Sequence, residues 1–305
     1  MGERTLGRTV RRTLSAVAAL APLAGCASVL DGAGPVGRQT ATIMIDATVI
    51  MLVIVVPTIV MAFWIGWRYR ASNTKATYLP YWSFSGRIEA VTWAIPILTI
   101  MFLGGVIWIG SERLDPFRPL PSKTPPLQVQ VVSLDWKWLF IYPQQGIATV
   151  NQLVLPAGTP VTFKITSSSV FNVFFVPRLG SMIYAMPGMV SQLNLQSDTP
   201  GQQLWGTSAQ FSGDGFSDMQ FPVKTVTSAD FATWVAGARG AGPVLDRPAY
   251  VALMQQSQRN PPTTYRAVDP QLFQAIATQK IPPGPGPQRE APSHAGREVS
   301  TGGSD

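Results

Sequence analysis

Two apolar runs, residues 43–67 and 89–110, limit what this 305-residue chain can fold into. Each matches the roughly 20 residues that a helix needs to cross the hydrocarbon core of a bilayer. Asp46 stands close to one end of the first run, within reach of the headgroups. Trp64, Trp67, Tyr69, Trp93 and Trp108 cluster towards the ends of the two runs, as interfacial anchors do. A charged fraction of 13% is low for a soluble enzyme and agrees with two spans. Between the runs, residues 68–88 hold Arg68, Arg70, Lys75 and Arg87 and no acid. The outer flanks mix signs, with Asp31 and Arg38 before and Glu112, Arg113, Asp115 and Arg118 after. By the positive-inside rule the loop is cytoplasmic, so residues 26–42 and everything after 110 are expected on the outer side of a bacterial inner membrane.

Upstream, residues 1–25 read as a signal peptide: Arg8, Arg11 and Arg12, an apolar stretch too short to span a bilayer, then small residues. The stretch ends Leu23-Ala24-Gly25-Cys26, which resembles the bacterial lipobox. That resemblance implies diacylation of the Cys26 sulfur, so that membrane lipid becomes a partner of the mature N-terminus. An ordinary signal peptide with a chance cysteine is the alternative. The formal charge of +7 draws on this segment, and its removal leaves about +4. With no other stripe of cations and aromatics, nucleic acid is excluded as a partner. Cys26 is the only cysteine and His294 the only histidine, so any transition-metal site would lack the usual thiolates and imidazoles.

From Gln128 the pattern becomes short period-2 runs between Pro, Gly and Asn. Val161-Thr162-Phe163-Lys164-Ile165-Thr166 alternates cleanly, and Val129/Val131, Leu153/Leu155, Leu193/Leu195 and Met219/Phe221/Val223 do so less strictly. This spacing predicts an all-β sandwich over 111–226. An aromatic-rich region with short helices follows over 227–280, one helix opened by Ser228 as N-cap with Phe231, Trp234 and Val235 on one face, another near 248–256. Residues 281–305, with Pro282, Pro283, Pro285 and Pro287, are expected to be a disordered tail.

Several segments carry a resemblance: Glu89-Ala90-Val91-Thr92-Trp93-Ala94-Ile95-Pro96, Asp135-Trp136-Lys137-Trp138-Leu139-Phe140-Ile141-Tyr142-Pro143 and Phe171-Asn172-Val173-Phe174-Phe175-Val176-Pro177-Arg178-Leu179-Gly180, with the stretches 208–221 and 250–273. In that order they resemble subunit II of the haem-copper oxidases, and within it the bacterial cytochrome bo-type ubiquinol oxidase branch. The resemblance implies a two-helix transmembrane hairpin carrying a cupredoxin-like sandwich with short C-terminal helices. Copper-containing members hold a dinuclear copper centre on one His and a Cys-x-Glu-x-Cys-x3-His-x2-Met segment. Laid on this chain, those positions are Asn172, Ser208, Gln210, Ser212, Phe216 and Met219, of which only the Met is kept. Neutral hydroxyls do not replace bridging thiolates, so no cofactor is expected on this chain.

The same resemblance implies that haem and copper, and the handling of ubiquinol, lie with a partner subunit I among further oxidase subunits. This chain is then a non-catalytic subunit of a proton-pumping ubiquinol:oxygen oxidoreductase. Trp136 and Trp138 fall where relatives have interface aromatics, or are packing residues. Glu89 opens the second span, where an acid complements the helix dipole; the resemblance implies a position near a proton-entry channel. Two rivals stand: a subunit of a menaquinol oxidase, and a lipoprotein scaffold or assembly factor with no respiratory role.

Overall fold

The computed structural model describes residues 27–286 apart from 78 and 80. The expected signal peptide, Cys26, His294 and the tail from 287 lie outside the described residues. A short helix, α1 (Ala27–Leu30), precedes two long ones, α2 (Pro35–Arg68) and α3 (Gly86–Arg113). Both outrun the apolar segments. At ~1.5 Å per residue, the 34 residues of α2 extend about 51 Å against a hydrocarbon core of ~30 Å. Apolar side chains face outward all round their middle portions, as a lipid-facing pair requires. They meet closely at Gly110, where an added Cβ would come within 2.8 Å of the Ile43 side chain.

Two sheets follow. The first runs β12-β3-β2-β1-β5-β8, built from β1 (Leu127–Leu134), β2 (Lys137–Tyr142), β3 (Ile147–Val150), β5 (Val161–Ser167), β8 (Ser191–Leu195) and β12 (Thr263–Tyr265). The second runs β4-β10-β9-β6-β7, from β4 (Leu153–Pro156), β6 (Asn172–Phe175), β7 (Ile183–Ala185), β9 (Gln203–Ser208) and β10 (Gln220–Val226). Pairing is antiparallel except for β1 with β5 and β10 with β4. All the period-2 runs read from the sequence bury their apolar members in one core between these sheets. Met219 does so one residue ahead of its strand.

A second core explains a strand that period-2 reasoning could not resolve. In β2, Trp138, Phe140 and Tyr142 point into the core between the sheets, while Leu139 and Ile141 point the other way. There they meet Tyr250, Tyr265, Leu272, Phe273 and Ile276 of the C-terminal region. A strand covered on both faces has no reason to alternate. Helix α4 (Ser228–Gly240) closes the core between the sheets with Phe231, Val235 and Ala238, and the third layer consists of α5 (Arg247–Leu253) and α6 (Leu272–Ala277), with a small ribbon of β11 (Val244–Leu245) and β13 (Ala267–Val268). Thr227, not Ser228, caps α4 by accepting from the Asp230 N–H at 3.1 Å. The expected tail also begins later than residue 281, since Ile281 is buried in the second core. The Gly284 and Gly286 N–H groups bond to the Ser168 carbonyl and the Asp135 carboxylate, each at 3.0 Å.

Candidate functional site

The six positions singled out in the sequence converge only in part. Asn172 opens β6 and Ser208 ends β9; pairing of these strands sets Phe174 beside Ser208 and carries Asn172 to the same end of the sandwich. The loop after β9 returns through a 3-10 turn, Phe216–Asp218, to Met219. There the Ser208 hydroxyl donates to the Asn172 Oδ1, and the Asn172 Nδ2 donates to the Met219 sulfur at 3.6 Å. The Ser208 N–H closes the ring on the Met219 carbonyl at 3.2 Å. All three residues are buried.

Ser212 is buried nearby. Its carbonyl accepts from the Trp136 indole N–H at 2.9 Å, whereas its hydroxyl has no partner among the described residues. Trp136 adopts φ +62, an unusual conformation for a bulky residue, held by packing of its ring on Gly215, where a Cβ would sit 2.5 Å from the indole. Gln210 turns its side chain to the surface but keeps its backbone at the cluster, its carbonyl 3.3 Å from the Ser208 hydroxyl, and Phe216 is half-buried, edge-on to Phe211 at 5.7 Å. Chemically the cluster is an amide, a hydroxyl and a thioether whose donors and acceptors already serve one another. It offers neither thiolate nor imidazole, the ligands that hold a copper pair.

Trp138 corrects the expectation of an interface aromatic. It is 0% exposed in the core, edge-on to Phe174 and Phe221 at 5.5 and 5.8 Å. Trp136 keeps 7% exposure. Glu89 lies in the first turn of α3, its N–H bonded to the Ser85 carbonyl at 3.0 Å, and its side chain is exposed in the isolated chain. It is one end of a helix whose other end, Arg113, is about 36 Å away at ~1.5 Å per residue, so it belongs to no common site with the cluster.

Sequence reading missed the two charges flanking Trp136. Lys137 is wholly buried, donating to the Gln255 carbonyl at 2.6 Å and to the Ser257 hydroxyl. Burial lowers its pKa from 10.5 to about 8, against the opposing pull of Asp135. Asp135 is likewise buried and accepts from the Ser169 hydroxyl and the Gly286 N–H. The signal available was a lysine set inside an otherwise apolar strand.

A two-sheet domain with ligand-loop geometry at one end, a third aromatic layer and two apolar helices ahead of it defines a membrane-anchored, cupredoxin-like second subunit of a terminal oxidase. Residues 128–226 match the family described as cytochrome c oxidase subunit II, periplasmic domain, and residues 239–284 match the COX aromatic rich motif. The chain belongs to the ubiquinol oxidase subunit 2 family. It is 46% identical to ubiquinol oxidase subunit 2 of Acetobacter aceti, over 92% of this chain and 91% of that one. Against cytochrome bo(3) ubiquinol oxidase subunit 2 of Pseudomonas aeruginosa it is 46% identical, over 90% and 83%. Quinol oxidase subunit 2 of Bacillus cereus is 34% identical over 75% and 79%. As a member, the chain is one part of a ubiquinol oxidase complex, is not itself catalytic, and works beside a subunit I.

Proposed function

We propose that this chain is a second subunit without copper, in a proton-pumping ubiquinol:oxygen oxidoreductase of the aerobic respiratory chain. The observation that carries the reading is the closed cluster of Asn172, Ser208 and Met219 at the positions where copper-containing relatives place ligands. Quinol is oxidised within the membrane and passes electrons to haem in subunit I, so no water-exposed entry port for electrons is needed. Haems, the remaining copper and the quinol site then belong to subunit I. This chain caps subunit I on the periplasmic face, is held in the inner membrane by two spanning helices and a lipid on Cys26, and sets Glu89 beside a proton entrance.

The face that meets subunit I is the end of the sandwich around the cluster. Phe171 and Tyr184 lie there tilted against each other at 4.8 Å with both rings exposed, and Phe211 is 73% exposed. Aromatic rings left bare in an isolated chain are the usual core of an interface. Identity of 46% to relatives named as ubiquinol oxidase subunits supports ubiquinol as the donor.

Isolating the chain from detergent-solubilised membranes tests the reading. The expected result is a co-purifying haem protein with quinol-dependent oxygen uptake, and no copper on this chain once it is separated from its partner. Intact oxygen uptake after deletion of the gene, with no haem protein retained, would establish the scaffold alternative instead. Stoichiometric copper on the separated chain would overturn the copperless assignment.

A further inference from the structure

We propose that the junction between the helix pair and the sandwich binds an anionic phospholipid, its phosphate on Arg113 and Arg118 and an acyl chain running down between α2 and α3. A cavity of about 480 Å³ opens there, between the start of α2, the end of α3 and the edge of the first sheet, and Arg38, Arg113 and Arg118 all line it. Its volume lies within the ~300–1,000 Å³ typical of small-molecule sites. The rim is stiffened by Pro116, Pro119 and Pro121, and the Asn194 N–H and side-chain amide both bond to the Pro116 carbonyl, at 3.1 and 3.0 Å.

Three arginines against Asp115 and Asp198 leave the cavity one positive charge over, and two of its guanidinium groups make no ion pair among the described residues. Arg38 is paired with Asp198, and Asp115 spends one carboxylate oxygen on the Phe117 N–H at 2.9 Å. Neither Arg113 nor Arg118 makes an ion pair among the described residues; Arg118 reaches only the Glu112 carbonyl, at 3.5 Å. A phosphodiester placed there gains charge-assisted hydrogen bonds from both.

A second cavity decides between a lipid and a free anion. About 270 Å³ in volume, it shares Gln39 and Arg113 with the first and continues down the helix pair between Ile43, Val106 and Ile109. Asp46 stands at its lower edge, below the arginines. A cationic chamber beside a groove with one apolar wall of Ile43, Val106 and Ile109, where two membrane helices leave the bilayer, matches an amphiphile rather than a soluble phosphate. Net attraction of arginines to anionic lipid is general; the pre-shaped cavity makes it a site.

The inference rests on the helices spanning the membrane. Its test uses the assembled complex in mild detergent, with native mass spectrometry and lipid extraction. Wild type is expected to retain a phosphatidylglycerol that Arg113→Gln/Arg118→Gln loses at least tenfold and Arg113→Lys/Arg118→Lys largely keeps, with phosphatidylcholine not retained. Should the double variant fail to assemble, Arg118→Gln alone, on the exposed linker, is expected to give a partial loss. Unchanged retention in the Gln variants, equal retention of phosphatidylcholine, or displacement by millimolar inorganic phosphate overturns the proposal. Alkaline carbonate extraction of the same membranes separates this outcome from failure of the spanning reading: only a chain that washes off fails there.

Discussion

Lys137 shows how one residue can oppose the fold that contains it. Its ammonium is buried with only a carbonyl and a hydroxyl as direct partners, and its pKa falls from 10.5 to about 8. The unfolded chain therefore binds this proton more tightly than the folded one, and stability rises with pH from about 8 upward. Tyr142 and Tyr250 are raised by burial and stay protonated in both states below their ordinary 10.0, so the window between about 8 and 9.5 reports Lys137 alone among these groups. Denaturant unfolding of the chain in detergent should show this rise, and Lys137→Met should flatten it. Glu89→Ala is expected to slow oxygen uptake by the assembled complex, with unchanged turnover leaving only a role at the helix dipole. At this scale the ligand positions were legible only through the family resemblance, and Asn172, Ser208 and Met219 do meet. The Gln210 backbone joins them but its side chain and that of Phe216 do not, because spacing fixes position along a loop but not the direction of a side chain. Asp135 and Lys137 were invisible because their partners lie 34 to 151 residues further on.

Among the elements, the long helices announced themselves through unbroken apolar length, and their extra turns beyond the apolar runs did not. Pro35 and Ser85 mark the starts, but the polar turns at the ends of α2 and α3 look like loop. The sheets were legible where polar side chains alternate with core ones, as along β5, and obscure at β2, whose continuous apolar run reflects apolar cover on both sides. The third layer explains the shortened tail. Ending the chain after residue 280 removes the buried Ile281 and four hydrogen bonds, made by the Ile281, Gly284 and Gly286 N–H groups and the Gly286 carbonyl, and should cost about 2–4 kcal/mol relative to a chain ending after 286. Comparison of denaturation midpoints checks this; equal midpoints would mean the segment only rests on the surface.

For the whole molecule, the decisive joint is the seam between the start of α2 and the sandwich. The Ala33 N–H bonds to the Arg178 carbonyl at 2.7 Å, the Asp198 N–H bonds to the Ala33 carbonyl at 3.0 Å, and ion pairs Arg178–Asp31 and Arg38–Asp198 flank them. Exposed pairs of this kind contribute little each, so close backbone approach carries the joint. A Cβ at Gly34 would fall 1.8 Å from the Gln196 carbonyl oxygen. Gly34→Val should therefore detach the helix pair from the domain while each stays folded, seen as broadened distances between spin labels on α3 and β8; unchanged distances would refute a glycine-dependent joint. No pattern in the sequence announced this seam, since its members are small or ordinary surface residues.

The seam also has an order in time. Asp31 and Arg38 emerge from the ribosome long before their partners Arg178 and Asp198, separated from them by 147 and 160 residues along the chain. A nascent chain must hold its helices in the bilayer while nearly the whole exported domain is still being made, and the joint closes only when strands β6 to β8 have found their places. A product cut short before residue 198 leaves the start of α2 unclasped and its polar backbone open to proteases, so the seam discriminates finished chains from unfinished ones.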